Sequence, residues 1–593
     1  MKKSGGASQA WLRALELTAA IPRNRDRVLP TVIEELAARS GEAPALLSDR
    51  ESMTYRELAA RSRQYSRWAL REGLGKGDVV CLLMTNRPEY FAAWLGITRV
   101  GAVVSLLNTN LAGPSLAHCI NVAQPRKLIV SSGFIESLAT ALPSLTALPK
   151  IWVHGVDHPQ FQRIDSDIMR LSDEMLSRDE VQPLTIEDRA LYIYTSGTTG
   201  LPKAASVSHA RVMQWSHWFA GMMDAQPTDR MYNCLPMYHS VGGVQAIGAA
   251  LVGGGSVVLR ERFSTRHFWS DIIRWECTTF QYIGELCRYL LHANSSRDAA
   301  GHRIRVACGN GLAPAVWEEF KDRFQIPQIL EFYAATEGGV SLFNAEGKPG
   351  SIGRVPPYLV HRFSPALVQF DVDKGEPVRS ELGLCVKCAP NEVGEALGRV
   401  VSDPSAVGSR FEGYTDTNAS EKRIVRDVLE LGDEWIRTGD LMRKDEMGFF
   451  YFVDRVGDTF RWKGENVATS EVAEAICAFP GVKHANVYGV AIPGTEGRAG
   501  MATMVTADDT DLVEFRKYLI GRLPAYARPI FLRIRDEVEV TGTFKYSKAE
   551  LARQGYDPSR SADIIYFDEP GSQKYVRLDN AGYNRIQSGQ YRF

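Results

Sequence analysis

The chain has 593 residues, a formal net charge of −1, and 45% hydrophobic against 23% charged residues. Domain cores usually hold about 100–200 residues, so we expect two or more lobes with room for a cleft between them. The near-zero charge excludes a strongly basic nucleic-acid-binding protein, and we expect no nucleic-acid partner.

The cysteine pattern and the terminus bear on the compartment. Nine cysteines, an odd number scattered along the chain, favour free thiols in a reducing environment. Cys385 and Cys388 form a single CxxC, but the alternation in LCVKC favours a strand over a zinc site. No long apolar segment follows Lys2 and Lys3, so we expect no signal peptide. We therefore expect a cytoplasmic protein, with peripheral contact to the inner face of a membrane left open.

In chain order, the first clear element is an apolar run at 79–84, followed by a turn, a helical stretch from about 89 to 100 and a second apolar run. This βαβ pattern predicts parallel strands covered by helices. Residues 242–259 predict a buried helix followed by a strand, not a membrane span. Other apolar runs end at polar or Gly-rich turns, where α/β sheets bind ligands. These runs are 191–194, 304–307 and 329–333, and we expect a helix directly after the Gly/Thr loop that follows the first of them.

The sequence composition changes near 454–458, where charged residues and a glycine separate two aromatic-rich stretches. We therefore predict a large domain over 1–455 and a small one over 456–593. Helical and strand-like patterns alternate beyond this boundary, which is typical of a smaller α+β domain. The segments concerned are 471–478, 485–492, 500–506 and 511–523.

The sharpest motif is YTSGTTGLPK at 194–203. Hydroxyls, glycines and a terminal lysine in one loop can surround an anionic phosphate group. The residues that we expect to contact it are Thr195, Ser196, Gly197, Thr198, Thr199, Gly200 and Lys203. The glycine spacing and Ala204 after the lysine exclude a Walker A loop. Gly309-Asn310-Gly311 likewise lacks the third glycine of a dinucleotide-binding fingerprint.

With this loop, four further blocks resemble the adenylate-forming superfamily of acyl-CoA synthetases, luciferases and adenylation domains. They are FYAATEGG (332–339), WIRTGD (435–440), DRVGDTFRWKGENVATSEV (454–472) and TGTFK (541–545). Together with GLPKAASVSHAR and GNGLAPAVW, they are similar to the fatty acid transport protein and very-long-chain acyl-CoA synthetase branch. The resemblance extends from about residue 50 to the C-terminus. It implies the adenylate-forming fold: a large N-terminal domain of parallel-rich α/β sheets and a smaller, mobile C-terminal α+β domain.

The resemblance also implies roles for single residues. Thr336 would contact the α-phosphate of ATP, and Glu337 would ligate Mg²⁺, a hard cation that prefers oxygen ligands. Lys545 would neutralise charge between carboxylate and phosphate during adenylation. Asp440 would bind the ribose with help from Arg455, and the adenine would lie against Gly309, Asn310, Gly311 and Tyr333. Each of these side chains alone could be an ordinary surface residue, and only their joint order favours the functional interpretation.

The second predicted step is transfer of the acyl group to coenzyme A. The superfamily rotates its C-terminal domain between the steps, and the aligned pivot is Gly457, where other members carry Asp or Lys. Gly464 would leave a passage for pantetheine or would simply be a turn glycine. His239 would lie near the acyl carboxylate or would be a buried structural histidine.

The acyl pocket is the weakest part of the sequence pattern. Helical spacing places Trp215, Trp218, Phe219, Met222 and Met223 on one apolar face, which favours core packing slightly over a ligand pocket. Gly242 and Gly243 remove bulk beside His239, at the presumed pocket entrance. Burial of about 0.8 kcal/mol per methylene cannot set the chain length.

We therefore expect an AMP-forming ligase that joins a long- or very-long-chain fatty acid to coenzyme A with ATP and Mg²⁺. The open alternatives are a ligase for a sterol side-chain or bile-type acid, an acyl-AMP ligase that loads a carrier protein, and a lipid-uptake protein with or without coupled activation. The oligomeric state stays open, with a homodimer among the options.

Overall fold

The structure is a computed structural model that describes residues 6–177, 179–196, 202–293, 299–363, 365–401, 410–507, 510–536, 548–591 and 593. The chain forms two compact units: residues 1–363 with 399–424, and residues 364–398 with 425–593. This division groups residues by their mutual contacts. The boundary predicted after residue 455 concerns where the small domain begins, and it stays a prediction.

Two parallel-rich sheets organise the first unit. Its strands are β1 (Pro44–Leu47), β2 (Ser52–Thr54), β3 (Val79–Leu83), β4 (Val103–Leu106), β5 (Lys127–Ser131), β6 (Lys150–His154), β7 (Gln162–Arg163), β8 (Arg189–Ser196), β9 (Pro202–Ser208), β10 (Arg230–Asn233), β11 (Ser256–Leu259), β12 (Thr279–Ile283), β13 (Val306–Asn310), β14 (Gln328–Ala334) and β15 (Ser341–Asn344). The sheet orders are β7-β6-β5-β3-β4-β8-β9 and β15-β14-β13-β12-β10-β11-β1-β2. Pairing is parallel except at β8–β9, β1–β2 and β14–β15.

Helices connect these strands. They are α1 (Ala7–Ala19), α2 (Leu29–Ser40), α3 (Tyr55–Arg71), α4 (Pro88–Arg99), α5 (Gly113–Ala123), α6 (Ile135–Ala141), α7 (Ile164–Ile168), α8 (His209–Met223), α9 (Ala246–Val252), α10 (Phe268–Arg274), α11 (Gly284–His292), α12 (Pro314–Arg323), α13 (Val360–Phe363) and α14 (Thr417–Glu421). A complete capping box begins α3, with Thr54 and Glu57 bonding each other's backbone N–H groups. Strand β3 is buried at every position, as parallel strands covered on both faces are.

The second unit carries two larger sheets and a short hairpin. Its strands are β16 (Ala366–Asp371), β17 (Glu376–Pro377), β18 (Val393–Arg399), β19 (Ile424–Arg426), β20 (Glu434–Lys444), β21 (Phe450–Arg455), β22 (Phe460–Trp462), β23 (Glu465–Val467), β24 (Val482–Val490), β25 (Ala499–Thr506), β26 (Phe531–Arg535), β27 (Ile564–Glu569) and β28 (Lys574–Arg577). Its helices are α15 (Thr469–Cys477), α16 (Leu512–Arg522), α17 (Lys548–Gln554) and α18 (Asn580–Gln587). Strands β24–β28 form one sheet in chain order, and the apolar core of this region includes Met501, Phe515 and Phe531.

The predicted α/β class with a smaller α+β part is confirmed, and so is the βαβ unit formed by β3, α4 and β4. Three local expectations were wrong. The phosphate-loop motif leads into strand β9, not directly into a helix. Strand β13 continues through Asn310, so Gly309 and Asn310 are strand residues. The LCVKC segment makes isolated bridges from Cys385 and Lys387 and forms no regular strand.

Two broader features complete the picture. All nine cysteines are free thiols, as the odd count indicated. Across the described ranges, every helix is too short or too polar to cross a bilayer.

Candidate active site

The phosphate-loop motif lies between two antiparallel strands. Thr195 near the end of β8 pairs with Lys203 near the start of β9. Gly197, Thr198, Thr199 and Gly200 lie outside the described residues, as does the side chain of Ser196. The hairpin therefore fixes both ends of the predicted loop, because cross-strand partners hold Thr195 and Lys203 side by side.

The centre of the site is Tyr414, which sequence reasoning missed. The Nζ of Lys203 lies 5.6 Å from the centre of its ring. Its hydroxyl donates a hydrogen bond of 2.6 Å to Oε1 of Glu337. Burial and the Glu337 carboxylate raise the pKa of Tyr414 to about 12, so this hydroxyl stays protonated at neutral pH. Two predicted phosphate-side residues, Lys203 and Glu337, thus contact one aromatic side chain.

Glu337 is nearly buried, at 6% exposure, in the turn that follows β14. Arg423 donates to the same oxygen, Oε1, at 3.0 Å, and also lies within 3.2 Å of the Tyr414 hydroxyl. Neither of these hydrogen bonds uses Oε2. The carboxylate therefore keeps an oxygen of the kind that Mg²⁺ prefers, and Mg²⁺ in nucleotide sites needs only one or two carboxylates beside the phosphates. Among the described residues there is no cluster of three or more His, Cys, Asp or Glu.

A second residue that the sequence did not single out is Arg211 at the start of α8. Its side chain is 1% exposed. It donates a hydrogen bond of 2.8 Å to the carbonyl of Thr336 and another to the carbonyl of Arg410. A Cβ on Gly338, whose φ is +96°, would lie only 2.7 Å from this guanidinium. Through its hydrogen bond to the carbonyl of Thr336, Arg211 therefore stabilises the backbone of the Thr336–Glu337 turn.

The segment that carries His239 contacts Thr336 through its next residue, Ser240. Ser240, the neighbour of His239, places its Oγ 3.4 Å from Oγ1 of Thr336. The half-buried imidazole packs on Tyr238 with ring centres 4.5 Å apart. The segment expected at the acyl end of the substrate therefore adjoins Thr336, the residue expected at its phosphate end.

The glycines after His239 have a different explanation from the one expected. A Cβ on Gly242 would lie 2.5 Å from the carbonyl oxygen of Pro236, and one on Gly243 would overlap that of Met237. These residues are glycine because a π-helical turn, Val241–Gln245, packs directly on the preceding backbone. Their space is already filled by the chain itself, so they open no pocket.

The aromatic face of α8 packs as core. Trp218 lies against Trp11 and Phe343 with ring centres 5.5 Å apart in both cases, and Phe219 lies against Phe332 at 4.7 Å. Trp215 is half-buried, with Arg211 over its ring. The core-packing interpretation accounts for Trp218 and Phe219 without an acyl ligand.

The predicted adenine wall lies on neighbouring strands. Tyr282 of β12, Gly309 of β13 and Glu331 of β14 stand in one row across the sheet. A Cβ on Gly309 would clash with the ring of Tyr282, whose hydroxyl crosses this position to bond Glu331. Asn310, next along β13, has a buried Oδ1 without a hydrogen-bond partner in the described structure. Such an unpaired acceptor is costly unless a ligand or water satisfies it.

The remaining predicted residues belong to the second unit or lie outside the described residues. Asp440 and Arg455 are directly paired across β20 and β21, with Nε and Oδ1 3.9 Å apart. Gly464 follows Lys463 in the turn between β22 and β23, where φ is +83° and +53° respectively. That turn alone explains a glycine at this position. Lys545 lies outside the described residues.

Comparisons with known proteins identify the family of this chain. The family model for AMP-binding enzymes matches residues 33–395, and that for the AMP-binding enzyme C-terminal domain matches 471–545. Long-chain fatty acid transport protein 1 of Mus musculus is 38% identical over 96% of this chain and 89% of its own length. The protein of the same name from Homo sapiens is 39% identical over 95% and 88%.

Solved structures share the fold at lower identity. An anthranilate CoA ligase in complex with anthranoyl-AMP gives a TM-score of 0.75 at 20% identity, covering 88% of this chain and 96% of that one. ATP-bound MatB from Rhodopseudomonas palustris gives 0.72 at 21%, covering 88% and 98%. Fatty acyl CoA synthetase of Mycobacterium tuberculosis gives 0.63 at 21%, covering 89% and 98%. The chain therefore belongs to the AMP-binding enzyme family and, within it, to the branch of the long-chain fatty acid transport proteins, as its motifs predicted.

Proposed function

We propose that this protein is an AMP-forming ligase that joins long- or very-long-chain fatty acids to coenzyme A. The observation that carries the proposal is the contact of Lys203 and Glu337 with the same side chain, Tyr414. A cation for phosphate and a carboxylate for Mg²⁺ are thereby gathered beside Thr336 and the His239 segment. A surface without nucleotide chemistry would have no reason to collect these groups.

The proposed chemistry has two steps. In the first, a carboxylate oxygen of the fatty acid attacks the α-phosphorus of ATP, and the bond to pyrophosphate breaks. In the second, the coenzyme A sulfur attacks the acyl carbon, the bond to AMP breaks, and the thiol proton is lost. Adenylation is needed because a free carboxylate repels nucleophiles, whereas AMP is a good leaving group. Positioning and neutralisation of phosphate charge should supply most of the catalysis.

Each candidate residue has a part in these steps. Lys203 and the loop before it would bind the β- and γ-phosphates, and Thr336 the α-phosphate. Mg²⁺, held by Glu337, would supply charge neutralisation on the phosphates. The unpaired Oδ1 of Asn310 suits the amino group of adenine, with Gly309, Gly311 and Tyr333 beside it. Asp440 and Arg455 would bind the ribose, Lys545 would act in adenylation, and Gly464 would adjoin pantetheine.

A second candidate function follows from the relatives' names. Those proteins are named for fatty acid transport, and ligation could drive uptake by trapping the acid as its coenzyme A ester. Membrane contact, cytoplasmic location and oligomeric state stay predictions from sequence. A ligase for a sterol side-chain or bile-type acid, or one that loads a carrier protein, would use the same adenylation groups.

The test is thioester formation with fatty acids of graded length, with sterol-derived and bile-type acids in the same panel. We expect ATP- and coenzyme A-dependent product with the longer fatty acids, and a loss of about a hundredfold or more in adenylation for Lys545→Ala. Lys517→Ala, at a 66%-exposed side chain on α16, is the matched control and should keep full activity. Purified protein that consumes no ATP with any hydrophobic acid would refute the ligase. Acyl-AMP that never reacts with coenzyme A would favour a carrier-loading enzyme.

A further inference from the structure

The segment 410–415 joins the two elements that carry the phosphate-side residues. It pairs with β9, where Ser206 donates to Gly413 at 3.0 Å and Thr415 donates to Ala204 at 3.0 Å. On its other side, the backbone N–H of Glu412 donates to the carbonyl of Glu337 at 3.3 Å. The match to the family model for AMP-binding enzymes ends at residue 395, before this segment begins.

Hydrogen bonds at two partly buried sites, the Glu412 carboxylate and the Arg211 guanidinium, fix the segment in place. The Glu412 carboxylate accepts hydrogen bonds of 2.6 Å from both the backbone N–H and the hydroxyl of Ser208, at the end of β9. Arg211 donates to the carbonyls of Thr336 and Arg410. Hydrogen bonds therefore connect segment 410–415 to strand β9 of the β8–β9 hairpin and to the Thr336–Glu337 turn. A side chain on this segment can therefore contact both β9, which carries Lys203, and the turn that carries Glu337.

Tyr414 is the side chain that does so. It is 6% exposed, so solvent does not compete strongly for its contacts. Its ring faces the Lys203 ammonium, an arrangement that attracts cations electrostatically. Its hydroxyl donates to Oε1 of Glu337, and a hydrogen bond to a charged acceptor is stronger than one between neutral groups. Tyr414 thereby contacts both the Lys203 ammonium on β9 and the Glu337 carboxylate in the turn after β14.

We propose that Tyr414 is a positioning residue that holds Lys203 and Glu337 at a fixed separation for a metal–nucleotide complex. The inference rests on the proposed function, because it assigns Lys203 to phosphate and Glu337 to Mg²⁺. By occupying Oε1, the hydroxyl fixes the rotation of the carboxylate and so directs Oε2. Without it, the hydrogen bond of 3.0 Å from Arg423 is the remaining side-chain contact to Oε1 among the residues that the structure describes. Tyr414 itself touches neither phosphate nor metal in this scheme.

The experiment separates the two contacts with two substitutions. Tyr414→Phe keeps the ring and removes the hydroxyl, whereas Tyr414→Leu removes both. Tyr575→Phe is the matched control, since it loses a buried hydroxyl that donates to the carbonyl of Pro529 at 2.7 Å in the second unit. Two equilibrium constants are measured for each protein: ATP binding in the absence of divalent metal, by calorimetry, and Mn²⁺ binding to the protein–ATP complex, by electron paramagnetic resonance of free Mn²⁺.

We expect Tyr414→Phe to weaken Mn²⁺ binding about tenfold and to leave metal-free ATP binding within about twofold of the unsubstituted protein. Tyr414→Leu should weaken both by about tenfold, and Tyr575→Phe neither. Equal Mn²⁺ affinity in Tyr414→Phe and the unsubstituted protein would overturn the inference while the proposed function stands. An unsubstituted protein that binds neither ATP nor Mn²⁺ with ATP would instead overturn the proposed function and the inference with it. Tyr414→Phe decides the question by itself if Tyr414→Leu does not fold.

Discussion

At the scale of single residues, Glu331 is the most unusual carboxyl near the candidate site. It is 2% exposed on β14, and burial raises its pKa to about 8. Hydrogen bonds from Tyr282 and from the backbone N–H of Leu312 offset part of that increase. Among the described residues, the titratable groups that interact with it are Tyr282 of β12, Cys287 of α11 and Cys308 of β13, and none of these three is a cation. Its charged form is therefore poorly stabilised.

This carboxyl gives a pH-dependent stability that Glu331→Gln should remove. The folded state keeps the proton up to about pH 8, whereas an unfolded glutamate loses it near pH 4.3. The folded state therefore binds more protons between these values, and the free energy of unfolding falls as pH rises, by at most about 1.4 kcal/mol per pH unit. From about pH 5.5 to 7.5, the variant should gain about 1–3 kcal/mol relative to the unsubstituted protein.

Urea denaturation at the two pH values measures this difference. Glu42→Gln, at an 81%-exposed side chain, is the matched control and should follow the unsubstituted protein. If the free energy of unfolding changes by the same amount between the two pH values in Glu331→Gln and in the unsubstituted protein, then Glu331 is ionised in the folded state. That result would contradict the prediction that the folded state keeps the Glu331 proton.

Sequence reasoning singled out the candidate residues that belong to motifs and missed the residues that contact them. Thr336, Glu337, Lys203 and Asp440 stand in recognisable blocks, and the structure pairs Asp440 with Arg455 across β20 and β21. Tyr414 stands outside the motifs that were recognised in the sequence, because its role depends on a pairing with β9 that no local pattern encodes. Arg211 falls within a family block, but a buried arginine that bonds two distant carbonyls reads in sequence as a surface charge on a helix.

At the scale of elements, a polar cluster ties together the starts of two helices in the second unit. Asp454 at the end of β21 accepts hydrogen bonds from the backbone and hydroxyl of Thr469, the first residue of α15. The ammonium of Lys548, the first residue of α17, donates to the same hydroxyl at 2.6 Å and lies 3.0 Å from Asp458. Thr469 is fully buried, so losing Lys548 would leave its hydroxyl short of a donor.

Lys548→Met should therefore destabilise this unit, and more so at neutral pH than at about pH 4. Burial raises the pKa of Asp454, while the charge of Lys548 lowers it, so the lysine stabilises the ionised carboxylate. Once acid protonates Asp454, that part of the stabilisation is absent. We expect a loss of about 1–3 kcal/mol at neutral pH and a smaller loss in acid.

The comparison needs denaturation curves at both pH values, with Lys517→Met as the control, because Lys517 is an exposed lysine that forms a surface ion pair with Glu514. A loss that is the same at both pH values would show that Lys548 acts without Asp454.

At the scale of the whole molecule, hydrophobic period and turn residues predicted the parallel sheets well, because buried parallel strands read as continuous apolar runs. They failed at pairings between distant segments. The two compact units are discontinuous in sequence, since residues 399–424 join the first and 364–398 the second. A linear pattern of helices and strands does not show which distant segments belong to the same compact unit. The sequence therefore predicted only one domain boundary, near residue 455.

The last prediction concerns Gly457, the aligned pivot between the two half-reactions. A Cβ at this position would meet no atom within 4 Å, and its φ lies outside the left-handed region. Alanine is therefore compatible with the conformation described here, and any need for glycine must come from another one. Gly457→Ala should leave the free energy of unfolding unchanged or raise it by up to about 1 kcal/mol. We expect it to slow one half-reaction about tenfold or more and to spare the other.

ATP–pyrophosphate exchange reports adenylation, and single-turnover transfer from preformed acyl-adenylate to coenzyme A reports the second step. Gly521→Ala, equally uncrowded on α16, is the control. Two unchanged half-reactions would remove Gly457 as the pivot and place the rotation, if it occurs, at another bond.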